Sequence, residues 1–174
     1  MKFKNINKTI YRKHLNQIII GFIATLTVLA LLFGTVLIHF FGVSPEEIAN
    51  GESNFRYNLL GAIFSLISCS IIVYKLRSSE FFNEVYYVWQ MKQVQNLIYR
   101  KLAKIKLAAK SDNVNALIIL QYYYESLIHI YQLDDNTITL TELTKKQQAV
   151  KQQIEDKQLA ISSSQFDKTL LKEF

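Results

Sequence analysis

The residues able to do chemistry in this chain are few and scattered. Glu125 and His129 stand four apart, a spacing that puts both on one face of a helix and suits either two metal ligands or an ion pair. Two ligands do not make a metal site and no second His lies nearby, so an exposed ion pair or hydrogen bond is expected. Asp134-Asp135-Asn136 is acidic but lacks the Gly and the distal Glu of a calcium loop. Cys69, the single cysteine, excludes a disulfide framework, and it has no base beside it to make it a nucleophile. His39 sits in an apolar run without a carboxylate partner, which argues against a proton relay. No phosphate-binding Gly-rich loop and no G-x-S-x-G elbow is present. The expectation is therefore no catalytic residue, no metal, no cofactor and no enzyme.

The elements that hold these residues are set by charge and hydropathy. Between Lys13 and Glu46 there is no Asp, Glu, Lys or Arg, and Ile18 to Val43 is apolar but for Gly, Thr and one His. A hydrocarbon core of ~30 Å needs about 20 such residues in a helix. The run is too long for a signal peptide, and no small-residue cleavage site follows it. A second charge-free run, YNLLGAIFSLISCSIIVY, fills the 18 residues between Arg56 and Lys75. It closes on Tyr74-Lys75-Leu76-Arg77, residues that belong at headgroup level. Lys2, Lys4, Lys8, Arg12 and Lys13 precede the first run without an acid, whereas the connecting segment carries Glu46, Glu47 and Glu52 against Arg56. Basic flanks stay inside, so both termini are expected in the cytoplasm of a multi-pass inner-membrane protein.

The reading divides the chain into a basic cytoplasmic N-terminus (1–16), a first transmembrane helix (17–41), a short periplasmic loop (42–56), a second transmembrane helix (57–75) and a cytoplasmic helical domain (76–174). Small residues at helical spacing mark a packing face: Ala30 and Gly34 in the first span, Gly61, Ser65 and Cys69 in the second. Whether the second span runs unbroken through Ser78-Ser79 is left open by so weak a break.

From Ala62 onward the chain has no Gly and no Pro. Polar clusters cut it into expected helices near 79–110, 113–132 and 140–161, with a short piece at 167–174 capped by Asp167. Thr139 and Glu142 have the spacing of a capping box. In the first helix Tyr87, Met91, Val94, Ile98, Leu102, Ile105 and Ala109 form one stripe, with Phe82, Tyr86 and Trp89 opposite it. The second helix is apolar around half its girth, and Tyr122-Tyr123-Tyr124 reads as core with partial exposure. The fold class expected is an all-α membrane protein, a transmembrane hairpin followed by an antiparallel three-helix domain. Arg100, Lys101 and Lys104 flank the stripe and are candidates for contact with anionic phospholipid headgroups or an acidic partner. The stripe itself is expected to pack on the next helix. The aromatics lack a strand or Gly-rich loop to present them to bases, so no nucleic acid is expected.

The stretches YRKHLN and IIGFIATLTVLALLFG within 11–34, ESNFRYNLLG at 52–61, FFNEVYYVWQMKQ at 81–93, IYRKLAKIK at 98–106 and YQLDDNTIT at 131–139 resemble an uncharacterised family of proteobacterial two-span inner-membrane proteins, domain of unknown function family 3087. The resemblance covers nearly the whole chain. It implies an inner-membrane location and supplies no activity, cofactor or catalytic residue. With the bilayer as one partner, the expected role is a membrane-anchored interaction or scaffold module that binds a protein or itself. The alternative is a small oligomeric transporter or channel component.

Overall fold

The computed structural model describes residues 3–174, and every regular element among them is helical. In chain order these are α1 (Lys8–Phe41), α2 (Pro45–Ala49), α3 (Phe55–Leu76), a 3-10 turn at Glu80–Phe82, α4 (Asn83–Lys110), α5 (Val114–Leu133), α6 (Leu140–Asp156), and two further 3-10 segments at Ser163–Gln165 and Lys168–Glu173. They form two compact units. One comprises residues 13–83; the other joins the N-terminal segment up to Arg12 with residues 84–174.

In the first unit α1 and α3 fold back on each other as a helical hairpin. Both are long and apolar enough to cross a membrane. Their outer faces are open: Ile20 and Leu31 are 68% exposed and Phe40 71%, the reverse of a helix buried in a soluble core. The connection contains α2, which opens with Ser44 and Glu47 in a reciprocal capping box and Pro45 in the first turn. The Val43 N–H donates to Asn54 Oδ1 at 3.0 Å and closes the loop. α3 ends at Leu76, and Ser79 takes an extended conformation, so this helix does not continue into α4.

The second unit is built around α5. Its residues Ala116, Leu117, Ile119, Tyr122 and Ile130 are buried, joined by Val94, Ile98, Ile105 and Ala109 of α4, Val150 and Ile154 of α6, and Phe166 and Leu171 of the C-terminal segment. All three tyrosines at 122–124 are buried, more deeply than their polar tips suggested, because α4, α6 and the C-terminal turns share the covering of α5. Gln95 and Ser126 satisfy each other inside the unit, Nε2 donating to Oγ at 3.1 Å. Gln153 Nε2 donates to the Ala109 carbonyl at 2.7 Å and to Asp112 Oδ1 at 2.9 Å, tying α6 to the α4–α5 turn.

Two local expectations fail here. Thr139 precedes α6 but makes no side-chain cap, since its backbone is already helical (φ −97°, ψ −3°) and its hydroxyl does not meet the first-turn amides. α6 also stops at Asp156 rather than 161, where Gln158 adopts a left-handed conformation (φ 52°). Asp167 does cap the last segment, accepting from the Thr169 N–H at 2.8 Å.

Candidate functional site

Three places in the molecule gather the candidate residues or their neighbours. The first is the seam of the hairpin. Gly34, Gly61, Ser65 and Cys69 are buried and Ala30 is half-buried. A Cβ placed on Gly61 would lie 2.5 Å from the Gly34 nitrogen and 3.2 Å from the Ala30 carbonyl oxygen. Backbone meets backbone there, so only glycine fits. Ser65 turns its hydroxyl back to the Ala62 carbonyl at 2.7 Å. Cys69 borders an apolar crevice of about 230 Å³ with Gly21, Thr25, Ile72 and Phe82.

The second is the outer face of α4. Its inner stripe is closed: Ile98 and Ile105 are fully buried. The opposite side keeps Trp89 52% exposed, stacked on Tyr86 with ring centroids 5.6 Å apart, and leaves Leu107 69% exposed. Arg100 and Lys104 are exposed, but Lys101 is half-buried and donates from Nζ to the Leu171 carbonyl at 2.7 Å. The three basic candidates therefore divide: two stay available and one holds the C-terminal segment in place.

The third was not legible as a site. Asn7 starts α1 by accepting the Thr9 and Ile10 amides at 3.0 and 3.2 Å. Residues 3–12 lie as a clasp on the helical unit. Phe3 stacks on Tyr122 at 5.5 Å between centroids and meets His129 edge-on at 5.9 Å, while Tyr122 stacks on Phe166 at 4.1 Å. The Lys4 N–H donates to the Tyr87 hydroxyl at 3.0 Å. Tyr11, 1% exposed, donates its hydroxyl to Asp134 Oδ1 at 2.9 Å, and Lys92 holds Oδ2 at 2.8 Å. Lys8 and Arg12 both pair with Asp135. Burial pushes the Tyr122 hydroxyl up to about 12, so the aromatic stack stays neutral at any physiological pH.

The acidic turn is thus an anchor for the N-terminus. Glu125 and His129 do not form the exposed pair their spacing suggested: His129 Nε2 is buried without a hydrogen-bond partner, and burial lowers its basicity against the weaker pull of Glu125. Among the described residues no three His, Cys, Asp or Glu side chains converge as metal ligands. The sequence signals for the clasp are a basic flank carrying two aromatics, Phe3 and Tyr11, and the acidic turn whose charge complements it.

No curated protein and no solved structure matches the chain. Residues 1–171, essentially the full length, match the profile of a family described as protein of unknown function, DUF3087, and the chain belongs to that family.

Proposed function

We propose that the chain is a two-span inner-membrane protein with both termini in the cytoplasm, whose antiparallel three-helix domain presents an interaction surface to a protein partner or a second copy. The clasp supports the topology. A segment on one side of a bilayer cannot pack on a domain on the other, so the number of crossings between residues 3–12 and α5 must be even. α1 and α3 supply two, and a cleaved signal peptide would remove part of the unit's own packing. The excess of Lys and Arg on the flanks supports the cytoplasmic side.

The interaction reading is carried by the outer face of α4. A helix whose inner stripe is closed still exposes Trp89, Leu107, Arg100 and Lys104, with Tyr86 half-buried beside Trp89. Trp, Tyr and Arg are the types that concentrate binding energy at interfaces. The transporter reading lacks such support, because the charge-free runs offer no Asp, Glu, Lys or Arg to line a polar path. A photo-crosslinking residue at Trp89 in native membranes should capture one adduct of defined mass, and the same residue at Lys151 on the outer face of α6 should not. Equal capture at both positions, or none at Trp89, would contradict the reading.

A further inference from the structure

We infer that Lys8 and Arg12 form an electrostatic latch for which Asp135 of the helical unit and the phosphates of anionic phospholipids compete, so that lipid charge sets how firmly the N-terminal clasp is held. The inference rests on the membrane reading above.

Three observations carry it. The side chains of Lys8, Arg12 and Asp135 are 45–47% exposed, so a headgroup reaches them without unfolding anything. In sequence Lys8 and Arg12 lie ten and six residues ahead of Ile18, where the apolar run begins, in the flank that headgroup phosphates occupy. A guanidinium takes a phosphate with the same two-pronged geometry as a carboxylate, and an ammonium does not distinguish them.

Opening the latch would leave no buried charge unpaired. Asp134 keeps Lys92, and Asp135 is already half in water. Of the remaining anchors Phe3 is only partly buried, whereas Tyr11 is buried and bonded to Asp134, so opening the latch loosens the clasp rather than detaching it; once freed, the Tyr11 ring and hydroxyl suit the headgroup layer. The Lys4 amide, bonded to Tyr87, reports the closed state.

The test uses the full chain in nanodiscs of phosphatidylcholine alone or of equal parts phosphatidylcholine and phosphatidylglycerol, at low salt. Amide exchange of Lys4 should be roughly tenfold faster in the anionic discs, two headgroup contacts replacing two ion pairs. Asp135→Asn should exchange fast in both membranes, while α5 amides remain protected. Equal exchange of the wild-type Lys4 amide in the two membranes, or slower exchange in the anionic one, would overturn the latch and leave the membrane reading intact. A chain that fails to enter either disc would overturn both.

Discussion

Asp134 closes the C-terminal end of α5, where the helix dipole disfavours a negative charge, and Asp135 follows it in a left-handed conformation (φ 57°). Lys92, Lys8, Arg12 and the Tyr11 hydroxyl offset that cost. Exposed pairs of this kind contribute about 0.2–1 kcal/mol each, close to the ~1 kcal/mol that a Lys or Arg gains at an anionic surface. Neither acid therefore dominates, and that balance is what makes the latch responsive.

His129 acts differently. Its imidazole is held below its ordinary value of 6.5 by burial, with Glu125 opposing. The fold prefers the neutral ring, so its stability is full above about pH 6.5 and declines as pH falls below it, because the unfolded chain takes up the proton first. The gap in α5 amide protection between wild type and His129→Gln should therefore shift in favour of the variant from pH 7 to pH 5. Parallel pH profiles would show that the ring is not buried against Phe3.

At the scale of helices, α4 separates two roles by face. Ile98→Asp puts a carboxylate where exposure is nil and should cost about 3 kcal/mol or more. In detergent-solubilised full chain it should open α4–α6 to trypsin. Arg100→Gln with Lys104→Gln, on the exposed face, should change stability by no more than ~0.5 kcal/mol. A protease-resistant Ile98→Asp chain would mean that the stripe is not core. This face was readable in advance because its seven apolar positions recur at helical spacing. On the hairpin seam the backbone of Gly61 lies against that of Gly34, whereas small residues at every fourth position are common in apolar helices whatever they face. Helix ends were less readable, since Thr139 has the right neighbours but the wrong backbone angles.

At the scale of the molecule, the helical unit is discontinuous in sequence: it joins the N-terminal segment up to Arg12 with residues 84–174. No local pattern announces this. Phe3 and Tyr11 have no periodic company, and their partners lie beyond both apolar helices, with Tyr11 and Asp134 123 residues apart. Charge complementarity between a basic flank and an acidic turn is visible in the sequence, but it does not say which of many acids is used. Topology is the central claim of the proposal, and the clasp accords with it because two crossings return the chain to the side it started from. Cysteine accessibility tests it in a Cys69→Ser background with single cysteines at Asn50, in the loop between α1 and α3, and at Gln158, after α6, both exposed. In intact cells a membrane-impermeant maleimide should label position 50 and leave position 158 unlabelled until the inner membrane is permeabilised. Labelling of position 158 in intact cells, or of both positions alike, would contradict the account.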